Sequence, residues 1–273
     1  MGVQALTLQQ KKAVLLARIA DLKSVLVAFS GGVDSTLLLK MCHDVLKDRA
    51  VAVTATSALQ PGQENEAARQ MARDLGVHHI CIRSKILEKA VFLENTDQRC
   101  YHCKRHLFDK LRNLADDLNL EHVAHGANAD DLRDYRPGFR AAEELNVVAP
   151  LLEAGLGKDE IRQLSQELNL ATWDKPAMAC LATRIPYGTA LTPEGLGQVK
   201  AAEAVMASQG FQSCRVRCHG PIARIEVPAR EIERMLDAAI RQKLVAELKL
   251  IGFKHVTMDL EGYVMGSMNP DRD

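Results

Sequence analysis

Near its start the chain reads Val25-Leu26-Val27-Ala28-Phe29-Ser30-Gly31-Gly32-Val33-Asp34-Ser35-Thr36. The apolar run from Val25 to Phe29 predicts a buried strand, because short continuous apolar runs are typical of sheets that are covered on both faces. The glycine pair ends this strand, and a helix is predicted from Ser35 onward. A strand that turns through glycines into a helix is the repeating unit of α/β proteins.

The same alternation continues along the first two thirds of the chain. Helices are predicted over 9–22, 35–46, 63–75 and 104–118, and strands over 25–29, 50–55, 78–82 and 122–125. This order predicts a doubly wound parallel sheet with helices on both faces. Ligands of such sheets bind at the carboxyl ends of the strands.

A second, smaller α+β domain is predicted to follow the turn-rich stretch Arg184-Ile185-Pro186-Tyr187-Gly188. Helices are predicted over 193–209 and 229–248, and strands over 214–218, 223–227 and 255–259. The turn Gly220-Pro221 joins the first two of these strands into an antiparallel hairpin. The predicted domains are therefore 1–185 and 186–273.

Charge and composition limit the possible partners. The chain has 273 residues, and its 35 Lys and Arg balance its 35 Asp and Glu, so nothing indicates binding to nucleic acid or to an anionic membrane. Its seven cysteines are an odd number and do not resemble a secreted disulfide framework. With no signal peptide or membrane-spanning run in the sequence, we predict a cytoplasmic protein.

The glycine-containing turn is a candidate phosphate site. Gly31 and Gly32 let the backbone approach an anion, and the start of the following helix adds partial positive charge. Ser30, Asp34 and Ser35 are the polar groups of this loop, which matches neither the Walker A nor the dinucleotide-binding pattern. The alternative is a tight turn in which Asp34 or Ser35 caps the helix.

A second candidate motif, His125-Gly126-Ala127-Asn128-Ala129-Asp130-Asp131, follows the last strand of the predicted sheet. Carboxylates at the carboxyl end of a strand can hold the Mg²⁺ that a nucleoside triphosphate requires. Gly126 and Asp130 are therefore candidate nucleotide-site residues. The alternative is that Asp130 and Asp131 only cap a helix.

The cysteines fall into two groups. Cys42, Cys81, Cys214 and Cys218 lie on apolar helix or strand faces and are predicted to fill the core. Cys100 and Cys103 form a C-x-x-C next to basic residues, and Cys180 precedes the predicted domain boundary. Three thiolates suit a [4Fe–4S] cluster whose fourth iron can carry a sulfide. The alternatives are structural zinc with His102 or another fourth ligand, a redox disulfide and unconnected thiols.

Charged residues alternate on the predicted hairpin. Arg215 and Arg217 share one face, and Arg224 and Glu226 follow the same period on the next strand. Neighbouring guanidinium groups repel each other unless a negative group lies between them, which makes a phosphate on the substrate a natural ligand. The alternative is a solvated sheet face on which Arg224 pairs with Glu226.

The loop Ser30-Gly31-Gly32-Val33-Asp34-Ser35 resembles the SGGxDS loop of the PP-loop ATP pyrophosphatases. This resemblance implies an adenine nucleotide α-hydrolase-like fold, a loop that grips the pyrophosphate of ATP, and adenylation of an acceptor oxygen. The Gly126 to Asp131 segment resembles the second, acidic nucleotide motif of the same superfamily.

More specific blocks resemble the LarE-type ATP-dependent sulfur transferases over nearly the whole chain. These blocks are Asp134-Tyr135-Arg136-Pro137-Gly138, Cys180 with the Arg184 to Gly188 segment, and the charged hairpin. The resemblance implies that the carboxylates of pyridinium-3,5-dicarboxylic acid mononucleotide are adenylated and become thiocarboxylates, in the biosynthesis of the nickel-pincer nucleotide of lactate racemase. It also implies a homo-oligomer.

Two subtypes of that family differ in their sulfur source. One sacrifices the sulfur of a single cysteine at the position of Cys180, and the other holds a [4Fe–4S] cluster on three cysteines. Because Cys100, Cys103 and Cys180 occur together, the resemblance implies the cluster type, which takes sulfide from a donor. Asp34, Cys180 and Arg184 are then the candidate catalytic residues, and ATP, Mg²⁺ and the cluster the expected cofactors.

Other functions are less consistent with the sequence. A PP-loop tRNA thiolase requires a basic nucleic-acid surface, which a neutral chain with 4% aromatic residues does not suggest. A ligase of the NAD or GMP synthetase kind gives no role to three cysteines. A zinc-stabilised nucleotide-binding module without catalytic activity is the last alternative.

Overall fold

The computed structural model describes residues 6–57, 59, 64–133, 136–176, 179–264 and 266–268. They form two compact units, the first from the described parts of 1–57, 63–86 and 100–178 and the second from those of 58–62, 87–99 and 179–273. The predicted domains were each continuous, with a boundary after Ile185. In the structure the second unit begins earlier and includes the segment 87–99.

A five-stranded sheet forms the centre of the first unit. Its strands are β1 (Val25–Ala28), β2 (Ala50–Thr56), β3 (His78–Arg83), β4 (His122–His125) and β5 (Val147–Val148). The strand order is β3-β2-β1-β4-β5 and every pair is parallel. The α/β prediction is therefore confirmed.

Among the described residues, eight α-helices lie between residues 8 and 167. They are α1 (Leu8–Asp21), α2 (Val33–Leu46), α3 (Glu64–Asp74), α4 (Ala90–Leu93), α5 (Arg99–Asp117), α6 (Gly138–Glu144), α7 (Pro150–Glu153) and α8 (Lys158–Glu167). Of these, α4 belongs to the second unit. Buried apolar side chains form one cluster that includes Leu37 and Ile161 and another that includes Phe108 and Leu111.

The register of the sheet brings the two predicted nucleotide motifs to one edge. Ala28, the last residue of β1, pairs with Val53 of β2 and with His125, the last residue of β4. Because these strands are parallel, the segments that follow Ala28 and His125 leave the sheet side by side.

The start of α5 differs from the prediction. The sequence predicted a helix from residue 104, whereas α5 begins at Arg99 and includes the C-x-x-C. Tertiary contacts explain the extra turn, because Arg140 of α6 stacks on the Tyr101 ring at 3.8 Å and Glu144 accepts a hydrogen bond from the Tyr101 hydroxyl at 2.8 Å. Neither α6 nor β5 is among the elements predicted from the sequence.

The second unit contains a small mixed sheet, as predicted. Its elements are α9 (Pro193–Ser208), β6 (Arg215–His219), β7 (Ile222–Glu226), α10 (Ile232–Met235), α11 (Ala238–Ile251) and β8 (His255–Met258). Strands β6 and β7 are antiparallel, and β7 and β8 are parallel.

The single helix predicted over 229–248 is wrong. Asp237 interrupts it and caps α11, because its carboxylate accepts a hydrogen bond from the Ile240 amide at 3.0 Å. Across both units, no helix in the described ranges combines the length and apolar character that crossing a membrane requires.

Candidate active site

The turn after β1 is shaped by its glycines and serines. Gly31 has a φ of +71°, and a Cβ placed there would lie 3.2 Å from the Cβ of Ala68, so the position requires glycine. The hydroxyls of Ser30 and Ser35 lie 3.1 Å apart, and Ser35 Oγ donates to the Gly32 carbonyl at 3.2 Å. The turn therefore holds a fixed shape at the start of α2.

Gly126 allows the second motif to approach this turn. A Cβ at Gly126 would lie 3.0 Å from the backbone nitrogen of Ser35 and 3.2 Å from the carbonyl carbon of Asp34. Even alanine would displace the start of α2. The structure thus brings the candidate residues Asp34, Ser35 and Gly126 together, although they come from two motifs far apart in sequence.

A ring of polar contacts joins the two motifs to α8. Asp34 accepts hydrogen bonds from Asn128 Nδ2 at 3.3 Å and from Lys158 Nζ at 2.6 Å. The Lys158 backbone N–H donates to Asp130 Oδ2 at 2.6 Å, and the Asp130 N–H donates to Asn128 Oδ1 at 3.0 Å. The predicted acids Asp34 and Asp130 therefore share one lysine that sequence reasoning did not identify.

Asp131 acts as a cap, which is the alternative that the sequence left open for this residue. Its carboxylate accepts a hydrogen bond from the Asn128 amide at 3.1 Å and pairs with Arg136 at 2.8 Å. It stabilises the turn after β4. Asp134 and Tyr135 of the neighbouring block lie outside the described residues.

A second lysine contacts the phosphate loop from outside the motif. Lys175 Nζ donates to the Gly31 carbonyl at 3.1 Å and to Glu64 at 2.7 Å. Arg162 of α8 holds this segment, because its guanidinium donates to the carbonyls of Trp173 at 2.8 Å and Lys175 at 3.0 Å. Helix α8 thus positions both lysines.

His125, at the end of β4, is a neutral imidazole in this environment. It lies against Phe108 and Phe139. Burial is the main cause that lowers its pKa to about 3, and the nearby Lys104 ammonium lowers it further. The residue therefore adds no positive charge to the nucleotide motif at neutral pH.

The structure largely confirms the division of the cysteines. All seven lie in the described part of the chain and none forms a disulfide. Burial raises the pKa of the Cys42 and Cys214 thiols to about 12 and also raises that of Cys218, as expected for core residues. Cys81 is only half-buried and accepts a hydrogen bond from Arg69 Nε at 3.2 Å, so its predicted place in the core is wrong.

The three remaining cysteines are more accessible than the three in the core. Cys100 and Cys103 lie in the first turns of α5 and are half-buried, and Cys180 is exposed and precedes a 3₁₀ turn over Leu181–Arg184. Within the described ranges, no three His, Cys, Asp or Glu side chains are grouped so that they could hold a metal ion.

A buried network fixes the residues just before Cys100 to those that follow Cys180. Arg99 Nη1 donates to the Ala182 carbonyl at 3.0 Å and to Asn95 Oδ1. Asn95 is fully buried with a φ of 56°, and its amide donates to the carbonyls of Pro186 at 2.8 Å and Thr189 at 2.7 Å. Sequence reasoning did not identify Asn95 or Arg99, which have no local spacing signal.

Arg184 positions the backbone that carries Cys180. Its guanidinium is 2% exposed and donates to Glu203 at 2.8 and 3.0 Å. It also donates to the carbonyls of Ala179 at 3.0 Å and Cys180 at 3.2 Å. Glu203 is a further residue that the sequence analysis missed, and it also accepts from the Val216 amide at 3.1 Å.

The charged hairpin contains its own counter-ion. Arg217, 5% exposed, donates to Glu226 at 2.8 and 2.6 Å and to the Thr183 carbonyl at 3.0 Å. Arg224 pairs with the same carboxylate at 3.1 Å. The Arg224–Glu226 pair that the sequence left as an alternative is therefore present. It lies on a buried face of the hairpin, whereas the alternative had a solvated face. Arg215 is half-buried and lies over the Tyr263 ring at 4.8 Å.

Comparison with known proteins gives a consistent family assignment. A family model described as NAD synthase matches residues 8–110. A pyridinium-3,5-bisthiocarboxylic acid mononucleotide synthase of Lactiplantibacillus plantarum is 40% identical over 96% of this chain and 95% of its own length. Uncharacterized proteins of Synechocystis and Methanocaldococcus jannaschii are 41% and 27% identical over 96% and 88% of this chain, and 98% and 91% of their own lengths.

Proposed function

Because this chain belongs to the LarE-type family of PP-loop proteins, we propose that it is an AMP-forming, ATP-dependent sulfur transferase. Its proposed substrate is pyridinium-3,5-dicarboxylic acid mononucleotide, whose carboxylates become thiocarboxylates. The observation that carries the proposal is the meeting of the glycine turn, the second motif and Lys158 at one edge of the sheet. The reaction would take place in the cytoplasm, in a homo-oligomer.

Adenylation solves the chemical problem of the substrate. A carboxylate is a poor electrophile, because its negative charge repels nucleophiles and oxide is a poor leaving group. In the proposed first step, a carboxylate oxygen attacks the α-phosphorus of ATP and pyrophosphate leaves. The turn from Ser30 to Ser35 and the start of α2 stabilise the charge that develops on the leaving pyrophosphate.

Sulfur transfer then completes the exchange. A sulfur nucleophile attacks the acyl carbon of the adenylate, and AMP leaves with the oxygen that was in the carboxylate. Arg215 and Arg217 are the proposed contacts for the phosphate of the mononucleotide, and Glu226 holds the Arg217 guanidinium in place. Fixing the substrate by its phosphate turns a bimolecular attack into an oriented one.

The acidic side chains fit the Mg²⁺ that accompanies ATP. Asp34 and Asp130 lie at the phosphate loop and offer hard oxygen ligands. Mg²⁺ is usually held by one or two carboxylates together with substrate phosphates, so a group of three protein ligands is not needed. The bound ion would neutralise charge on the phosphates.

The sulfur source is proposed separately. A [4Fe–4S] cluster on Cys100, Cys103 and Cys180 would supply a bound sulfide taken from a donor, whereas Cys180 alone would give up its own sulfur. The Arg99–Ala182 contact within the second unit supports the cluster, because Arg99 directly precedes Cys100 and Ala182 follows Cys180 by two residues. In the structure, Cys100, Cys103 and Cys180 do not form a three-ligand metal group. The proposed adenylation and sulfur attack do not require a cluster.

Metal analysis distinguishes the two sulfur sources. For the cluster we expect brown protein after anaerobic purification, with about four iron and about four sulfide per chain. Cys103→Ser should lose most of this iron, whereas Cys81→Ser, which changes a half-buried cysteine outside the trio, should retain it.

Other results would refute the cluster. Stoichiometric zinc would contradict it directly. A protein without iron that loses one sulfur from Cys180 during turnover, detected by mass spectrometry of the intact chain, would identify sacrificial transfer instead.

The reaction itself is tested with purified components. Protein, MgATP and the mononucleotide should yield AMP, pyrophosphate and a product in which sulfur has replaced carboxylate oxygen, detected by mass spectrometry. ATP cleavage that depends on tRNA and ignores the mononucleotide would instead support the thiolase alternative.

A further inference from the structure

We propose that Lys175 is a positioning residue that fixes the peptide unit between Gly31 and Gly32, so that the Gly32 N–H points to the polyphosphate of ATP. Its ammonium acts on the carbonyl of the loop and does not contact a phosphate. This inference rests on the ATP step of the proposed function and is independent of the sulfur source.

The peptide unit between Gly31 and Gly32 is the part of the phosphate loop that turns over most easily. A glycine on each side leaves both adjoining torsion angles free of the restriction that a Cβ imposes. This peptide bond is trans, so its C=O and its N–H point in opposite directions. A half turn of the unit would therefore present a carbonyl oxygen, instead of an N–H, to a bound anion.

Lys175 holds the carbonyl side of this unit. Its Nζ donates to the Gly31 carbonyl at 3.1 Å. On the other side the Gly32 N–H donates to Ser30 Oγ at 3.4 Å, and the Ser30 and Ser35 hydroxyls lie 3.1 Å apart. Because the lysine fixes the carbonyl, the N–H stays grouped with the two hydroxyls as a set of donors for a phosphate.

The charge of Lys175 is already balanced by a neighbouring carboxylate. Glu64, in the first turn of α3, accepts a hydrogen bond from Nζ at 2.7 Å, and the two side chains are 21% and 23% exposed. A lysine paired so closely with a carboxylate adds little net positive potential to the loop. Its contribution is therefore the hydrogen bond to the carbonyl and not the charge.

The backbone of Lys175 is fixed by its own segment. Its N–H donates to the Thr172 carbonyl at 3.0 Å, and Arg162 donates to the carbonyls of Trp173 at 2.8 Å and of Lys175 at 3.0 Å. Pro176 follows and restricts Lys175 to extended conformations. The lysine is thus in place before ATP binds, so the loop donor needs no reordering during the reaction.

The chain offers a closely matched control. Lys11 of α1 pairs with Glu160 of α8 at 2.8 Å, and these side chains are 20% and 29% exposed. Lys11→Met therefore removes an ion pair that is similar in length and exposure to Lys175–Glu64, but that does not contact the phosphate loop.

The test compares two variants that differ in one N–H donor group. Lys175→Met removes both the donor and the charge, and it is expected to lower kcat for AMP formation about 10²-fold and to raise the Kd for magnesium pyrophosphate about tenfold. Lys175→Gln removes the charge but keeps a donor, and it should recover about tenfold of the lost rate. Lys11→Met should change neither constant.

Glu64→Gln and AMP complete the test. Glu64→Gln leaves the ammonium without its carboxylate but keeps the contact with the Gly31 carbonyl, so the Kd for magnesium pyrophosphate should change by no more than about threefold. AMP lacks the pyrophosphate that the loop holds, so its Kd should stay within about twofold in every variant.

Three outcomes would overturn the inference. An equal loss of rate in Lys175→Met and Lys175→Gln would show that the charge is what matters, and tighter binding of magnesium pyrophosphate to Glu64→Gln would indicate direct contact with phosphate. An unchanged rate in Lys175→Met would exclude any role. Lys175→Leu replaces the methionine variant if that variant unfolds. A wild type that forms no thiocarboxylate, with the expected pattern of pyrophosphate binding among the variants, would refute only the proposed sulfur transfer.

Discussion

Replacing Asp34 with alanine is expected to lower the rate of AMP formation about 10³-fold. The side chain lies 2.6 Å from Lys158 Nζ and 3.3 Å from Asn128 Nδ2, between the phosphate loop and the second nucleotide motif. Its loss removes the proposed magnesium ligand and leaves the lysine without its carboxylate partner. Single-turnover measurement of AMP with the mononucleotide present gives the rate directly.

Two controls separate this effect from general damage. Asp44→Ala, on the same helix, removes a carboxylate that pairs with Lys40 at 2.5 Å, and it should leave the rate of AMP formation unchanged. The iron and sulfide content of Asp34→Ala should equal that of the wild type, because Asp34 is not among the proposed cluster ligands. ATP cleavage at the normal rate in Asp34→Ala would refute the assignment of the phosphate loop.

Glu226→Gln is expected to reduce the free energy of unfolding by about 3–5 kcal/mol. The carboxylate is 1% exposed and accepts hydrogen bonds from Arg217 at 2.8 and 2.6 Å and from Arg224 at 3.1 Å. Its neutralisation leaves the buried Arg217 guanidinium without a counter-charge. Urea unfolding of the two proteins measures the difference.

A double variant identifies the cause of that loss. Arg217→Met combined with Glu226→Met replaces the buried pair with apolar side chains, and it should recover most of the stability that Glu226→Gln loses. A cost below about 1 kcal/mol for Glu226→Gln, the value typical of exposed pairs, would contradict the proposed burial of this network.

The sequence predicted those features of the fold that depend on local pattern. The strand over 122–125 has the predicted ends, and the glycine turn lies between a strand and a helix as expected. Apolar runs and glycine turns act over a few residues, so a single sequence reveals them. Asp237 carries the same kind of local signal, because an acidic residue before a helix is a typical cap, yet one continuous helix was predicted across it.

Features that depend on distant contacts were not predictable. Lys158 and Asp34 are 124 residues apart in sequence and meet only through the fold. Nothing in the spacing of Lys158-Asp159-Glu160 distinguishes this lysine from one at a solvated helix start. The burial of Arg217 in the hairpin has the same origin. An alternating charge pattern predicts a shared face and leaves an Arg224–Glu226 pair open, but it does not reveal that Arg217 is buried against the same carboxylate.

The origin of the oxygen in AMP tests the central claim most directly. With heavy oxygen in the carboxylates of the mononucleotide, adenylation followed by sulfur attack predicts that AMP gains one labelled oxygen for each thiocarboxylate formed, and that pyrophosphate gains none. Unlabelled AMP accompanying the thiocarboxylate would contradict acyl adenylation, and with it the role assigned to the phosphate loop.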